Sequence, residues 1–266
     1  MSQRRDLSLM PVIQGWDYDP GQVTVRTIAG DDGSIKVQMR LDLGLLQMEL
    51  DGRPDGLRPH RCESLLAWHR GRVKDYQARN GTDLGFELSP QECEALREES
   101  LQYYYRYLSL FVLEDYARVQ RDTRRNLDLL DLCHRYGAER SDRRALEQYR
   151  PYVIMMNTRA WAGMALKSDD AAAAAAAIKR GLRQIRRSLR QSGRAGAFTK
   201  SPEAKILRGL LREIQDAHGI DPARSLRRQL RTAIRQENYE LAAELRDRLA
   251  GLDEAPARSR AAGSGR

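Results

Sequence analysis

The alternation of apolar and polar positions changes its period along the chain. Residues 1–20 show no regular pattern, and Pro11 and Pro20 mark loops, so they read as an irregular segment. A period of two then begins. Val23, Val25 and Thr27 alternate with polar residues, and Asp31-Asp32-Gly33 follows. Ile35, Val37, Met39, Leu41 and Leu43 come next, with Lys36, Gln38, Arg40 and Asp42 between them. This alternation predicts a half-buried strand, and Asp-Gly between two such runs predicts a hairpin. Leu46, Met48 and Leu50 predict a third strand, stopped by the turn residues of Asp51–Gly56. A three-stranded antiparallel meander within 21–60 needs helices against its apolar face.

From about Glu63 the apolar spacing becomes helical. A helix opens around Leu65, Leu66 and Trp68 and ends near Asn80-Gly81. Ser89-Pro90-Gln91-Glu92 is a helix start, with Ser as cap and Pro at the first helical position. Residues 91–136 then contain neither Pro nor Gly, a run longer than an ordinary globular helix. Tyr103, Tyr104, Tyr105, Tyr107, Leu108, Leu110, Phe111 and Val112 form a dense apolar stretch before Leu113-Glu-Asp-Tyr116. Val119, Leu127, Leu130 and Cys133 or His134 form a second stripe after it. The chain is therefore expected to fold back at Glu114-Asp115. A second pair is expected from Tyr149–Leu166 and Ala171–Leu189, with the reversal at Ser168-Asp169 and Asp169 equivalent to Asp115.

The Leu113–Tyr116 turn and the small cluster Trp161-Ala-Gly163 resemble tetratricopeptide-type helical hairpins, with Glu114 where that family's turn carries Gly. The resemblance implies two degenerate helical hairpins across 61–190. A linker at Gln191–Gly196 and a helix at Pro202–His218 fill 191–220. The fold class expected is mainly α with a small N-terminal β-meander, an α+β arrangement.

Residues 221–254 carry the most specific pattern. Leu226, Leu230 and Ile234 recur at i, i+4 and i+8. After Gln236-Glu237-Asn238-Tyr239-Glu240, a second stripe follows at Ala242, Leu245 or Arg246, Leu249 and Leu252. The small pair Ala242-Ala243 allows two helices to approach closely. A unit of this size has too little core to stand alone. The string Ala233-Ile234, Glu237, Tyr239-Glu240, Ala242-Ala243, Leu245-Arg246-Asp247, Leu249 and Leu252 is similar to the UVR motif of excision-repair nuclease subunits B and C. Similar motifs occur in Clp-type unfoldases and in an arginine-kinase activator, so the resemblance implies a hairpin that docks a protein, in repair or in stress regulation. The protein-binding residues it implies are Leu230, Ile234, Glu237, Tyr239, Glu240, Ala242, Ala243, Leu245, Arg246, Asp247, Leu249 and Leu252, with Tyr239, Leu245 and Leu249 carrying the contact. The resemblance implies that the hairpin docks another protein and leaves open which one, a UVR-containing protein and a second copy of the chain being among the candidates. The remainder loosely resembles uncharacterised bacterial proteins that join this motif to an N-terminal meander. Residues 255–266, rich in Pro, Ala, Arg, Ser and Gly, read as a disordered tail.

Composition adds a charge asymmetry. Of 266 residues, 46 are Lys or Arg and 37 are Asp or Glu, giving +9. Between Ala171 and Pro202 there is no acid, but there are eight cations: Lys179, Arg180, Arg183, Arg186, Arg187, Arg190, Arg194 and Lys200. Ile178, Leu182, Ile185 and Leu189 form the apolar stripe of that helix. Its cations are either a solvated face or a set of phosphate contacts for nucleic acid. The nucleic-acid set would be Lys179, Arg180, Arg183, Arg186, Arg187, Arg190 and Arg194. Phe198 alone stands nearby for base stacking.

Other chemistry finds little purchase. Cys62, Cys93 and Cys133 lack zinc or disulfide-framework spacing, and His60, His69, His134 and His218 lack metal-ligand spacing. His134 beside Cys133 is not a catalytic pair, because helix neighbours point apart. Glu114-Asp115 and Asp169-Asp170 sit at turns, where capping explains them. No P-loop, GxGxxG or GxSxG occurs. The expectation is a non-catalytic cytoplasmic adaptor with no cofactor, metal or membrane span. The alternative is an accessory protein for nucleic acid, in excision repair, that uses the Arg-rich helix 178–194.

Overall fold

The computed structural model describes residues 8–220 and 222–261, with side chains over 8–220 and 226–250. A single helical turn, α1 (Met10–Ile13), precedes the sheet, so the N-terminal segment is not wholly irregular. Strands β1 (Val25–Ala29), β2 (Ile35–Leu41) and β3 (Gly44–Glu49) pair antiparallel in the order β1-β2-β3. Val37 faces Thr27 and Met48 in register, and Leu41 pairs with Gly44 across a two-residue turn. Leu43 lies in that turn and is 98% exposed, so the alternation that placed it in a strand overruns by two residues.

Val37, Met39 and Met48 are the buried apolar face of the sheet. The other face is not solvated as the alternation implies, because Lys36 and Gln38 are buried too. A central strand covered on both sides must pair its polar groups, and it does. Gln38 accepts from Arg26 Nε at 2.8 Å and donates to Gln47 at 2.9 Å, while Lys36 pairs with Asp32 and Glu49. Arg26 in turn stacks on Trp16 and donates to the Val12 carbonyl, which ties the N-terminal segment to β1.

The helices follow. Ser64 caps α2 (Leu65–Asn80), which ends on left-handed Gly81. Ser89 and Glu92 form a reciprocal capping box at the start of α3 (Pro90–Val112). Next come α4 (Tyr116–Tyr136), the short α5 (Arg140–Ala145), α6 (Arg150–Lys167), α7 (Ala171–Gln191) and α8 (Pro202–Ala217). Helix α5 fills the segment between the two expected hairpins. One core joins the sheet face to Tyr107 and Leu110 of α3, Ile154 and Met156 of α6, Ile178 and Ile185 of α7, and Leu207 and Leu211 of α8. A second joins Leu66, Phe86, Leu88, Cys93, Leu96, Leu129 and Cys133. Helices α6 and α7 cross closely. A Cβ on Gly181 would lie 2.1 Å from Thr158 Oγ1 of α6, and α4 and α6 approach as closely, since a Cβ on Gly163 would lie 2.6 Å from the Tyr116 ring.

The 91–136 run folds back where expected. Glu114 and Asp169 are left-handed, at φ 56° and 55°. The next residue in each case, Asp115 or Asp170, accepts from the backbone N–H three residues on, at 3.1 and 2.8 Å. The equivalent of Asp115 is therefore Asp170, one residue later than the spacing suggested, and both carboxylates act as caps. A buried polar network locks the first reversal to the sheet. Arg106 and Asp122, both 1% exposed, pair through two bonds of 2.7 and 2.9 Å. Arg106 also donates to the carbonyls of Glu49 and Gly52 at 2.9 Å each. Glu99, fully buried, accepts from the N–H groups of Leu65 and Leu66 at the start of α2 and pairs with Arg125.

The last pair is α9 (Pro222–Arg235) and α10 (Tyr239–Ala261). Helix α10 continues to Ala261, past residue 254 where the composition suggested a tail would begin; residues 262–266 lie outside the described residues.

Candidate docking hairpin and basic helix

The α9–α10 reversal repeats the geometry of the other two. Glu237 is left-handed at φ 57°, and Asn238 accepts from the Leu241 N–H at 3.1 Å as the cap of α10. The N–H of Asn238 returns to the Ala233 carbonyl at 2.9 Å, as Asp115 does to Leu110 and Asp170 to Ala165. Glu237 thus sets the reversal, and its role is conformational.

Leu226, Leu230 and Ala233 of α9 pack on Ala242, Leu245 and Leu249 of α10, in a cluster separate from the other two cores. The seam differs from the i, i+4, i+8 stripe read from the sequence. At about 100° per residue, i+8 drifts some 80° off the seam while i+7 stays within about 20°. Ala233 therefore takes the inner place, 1% exposed, and Ile234 is left 52% exposed. Leu245 and Leu249 also turn inward, at 2% and 8%, so they hold the hairpin together and cannot be the contact surface expected of them. Ala242 is buried with them, while Ala243, Glu240, Arg246 and Asp247 face outward. Arg246 pairs with its neighbour Asp247 at 2.9 Å. Leu252 lies outside the residues whose side chains are described.

The exposed apolar groups gather at the reversal. Ile234 closes α9, Tyr239 opens α10 at 69% exposure, and Leu241 stands two residues on at 40%. Three large apolar side chains within eight residues make an uncovered tip on a hairpin whose own core lies below it. None of the three belongs to either core of the helical body. Sequence reasoning missed Leu241. Its position one residue before the buried Ala242 was the signal.

Residues 222–255 match the family model of the UvrB/uvrC motif. The match covers this hairpin alone. No curated protein matches the chain, and no solved structure matches it.

The seven expected phosphate-contacting cations are all exposed: Lys179, Arg180, Arg183, Arg186, Arg187 and Arg190 on α7, and Arg194 just after it. Ile178, Gly181, Ile185 and Leu189 form the buried side of the same helix, as its apolar stripe implies. Phe198 is 8% exposed and lies under the guanidinium groups of Arg186 and Arg208, at 4.5 and 5.6 Å from its ring centre.

Two clefts of similar size stand elsewhere. One of about 660 Å³ is lined by Tyr104, Tyr107, Tyr149 and Tyr152 together with Leu101 and Leu146. Burial raises the Tyr152 phenol to about 12, and Arg97 and Glu203 also line this cleft. The other, about 680 Å³, holds Asp131, Glu147, Arg144 and Arg150 beside the end of α7. Cys133 is buried and His134 exposed, so the two point apart. Among the described residues no group of three or more His, Cys, Asp or Glu is placed to hold a metal ion, and no helix is long and apolar enough to cross a membrane.

Proposed function

We propose that the protein is a non-catalytic cytoplasmic adaptor whose C-terminal hairpin docks a like hairpin on another protein or on a second copy of the chain. The observation that carries this reading is the uncovered tip of Ile234, Tyr239 and Leu241 above a separately packed seam. Two further points support it. The UvrB/uvrC motif match falls on the same residues, and a two-helix unit buries too little apolar surface to be finished by itself. Interfaces place most of their energy in a few aromatic and large apolar groups, and Tyr239 is the one aromatic residue within 222–250. The exposed charges Glu240, beside the tip, and Arg246 and Asp247, about two turns along α10, would select the partner rather than supply affinity. The helical body and its sheet act as the platform that presents the hairpin.

The test is binding of the full chain to itself and to a purified protein carrying a UvrB/uvrC motif, followed by titration calorimetry. Ile234→Ser and Tyr239→Ala should each weaken the complex at least tenfold while the helical signal is kept. Leu249→Ala should instead melt the hairpin, because it empties the seam. Equal binding by the wild type and both tip variants would sink the reading.

A further inference from the structure

Helix α7 carries six exposed cations and no acid. Elsewhere many arginines are held by acids, although among the described residues Arg79, Arg140, Arg144, Arg208 and Arg212 pair with none. Arg97 pairs with Asp142, Arg106 with Asp122, Arg118 and Arg121 with Asp51, and Arg150 with Glu147 and Asp131. Even exposed Arg124 and Arg135 have partners, Asp128 and Asp83. Among the described residues, none of Lys179, Arg180, Arg183, Arg186, Arg187, Arg190 and Arg194 has an acidic partner, and no acid lies between Ala171 and Pro202 to supply one within the segment. An Arg-rich composition alone would scatter solvated cations over the surface. It does not explain seven such cations within sixteen residues that contain no acid, six of them on one helix.

The geometry of that face is regular. At about 100° per residue, Lys179, Arg183, Arg186 and Arg190 fall within an arc of roughly 60°, and Arg180 and Arg187 widen it to about 120°. The stripe from Lys179 to Arg190 is about 17 Å long at 1.5 Å per residue. Gly181, Ile185, Ser188 and Leu189 on the far side are packed into the core, so the cationic side is held rigidly outward. Arg186 is fixed further by its stacking on Phe198, which Arg208 of α8 shares.

We infer that the outer face of α7 binds the phosphate backbone of double-helical nucleic acid. A linear row of unpaired guanidinium groups fits a linear row of phosphates, because each contact releases a condensed counterion. Arginine also suits phosphate better than lysine through its forked donors, and six of the seven cations are arginine. Single strands are a poorer fit. They are held by stacking on exposed aromatic rings, and Phe198, the one ring beside this face, is covered by Arg186 and Arg208. Binding of this kind is independent of sequence, since phosphate contacts carry no base information. It is also separate from the hairpin, so it brings whatever the hairpin docks onto nucleic acid.

The experiment uses the full chain and a short fluorescent DNA duplex of random sequence, with the matching RNA duplex, single strand, polyglutamate and anionic vesicles as further arms. With four to five phosphate contacts, the log–log salt slope should be about −3.6 to −4.5, a loss of roughly 150-fold or more between 50 and 200 mM salt. The variant carrying Arg183→Glu, Arg186→Glu, Arg187→Glu and Arg190→Glu should lose at least 100-fold. A control reversing Arg79, Arg124, Arg140 and Arg144 has the same net charge and should stay within a few-fold of wild type. A flat salt response, an equal loss in the control, or tighter binding to single strand, polyglutamate or vesicles than to either duplex would each overturn the inference.

Discussion

Single residues carry more of this fold's specificity than the apolar pattern suggests. Asp122 and Arg106 were invisible as a pair in the sequence. Both interrupt otherwise apolar helix faces, and their burial depends on the sheet's exit loop arriving at Glu49 and Gly52. Asp122→Ala should cost about 3–5 kcal/mol in urea unfolding, because it leaves Arg106 buried and uncompensated. A loss below 1 kcal/mol would show that water reaches the guanidinium. His69 gives a pH dependence of definite sign. It is 1% exposed, and burial lowers its pKa to about 4 from an unfolded value near 6.5. The unfolded chain therefore binds the proton first. The stability tied to neutral His69 is complete above about pH 6.5 and is lost as pH falls toward 4. Between pH 7 and 5 the wild type should lose up to about 2 kcal/mol more than His69→Gln. Parallel pH profiles would refute this assignment.

At the scale of elements, the helical reversals were legible and their details were not. An acidic turn after a dense apolar run located the bends at 113–115 and 168–170, because a long helix of that composition must bury its stripe against itself. The left-handed residue was not legible, since Glu carries no signal for positive φ and the Asp preference does not choose between Asp169 and Asp170. Glycine adopts that conformation without the cost a side chain meets. Glu114→Gly should therefore raise the melting temperature by a few degrees, corresponding to about 0.5–1 kcal/mol, measured by calorimetry. Destabilisation would mean that the Glu114–Lys167 pair, 3.2 Å apart, outweighs the backbone strain. The same limit explains the hairpin. Its existence and its turn could be read from the sequence, but Leu245 and Leu249 were misplaced as contact residues. Heptad drift decides between Ala233 and Ile234, and apolarity alone does not. The buried outer face of the sheet was hidden for a related reason: alternation marks one face as apolar and says nothing about what covers the polar one.

At the scale of the whole molecule, two surfaces carry the functional reading. One is the apolar tip of a hairpin with its own core, and the other is the unpaired cationic face of α7. The central claim, that the tip is the docking site, is tested most directly by the isoleucine methyl spectrum of the full chain during titration with a UvrB/uvrC-motif protein, or with itself by concentration. The account predicts that the Ile234 methyl signal shifts or broadens while those of the core residues Ile154, Ile178 and Ile185 stay in place. Movement at exposed Ile35 or Ile206 with an unchanged Ile234 would contradict it.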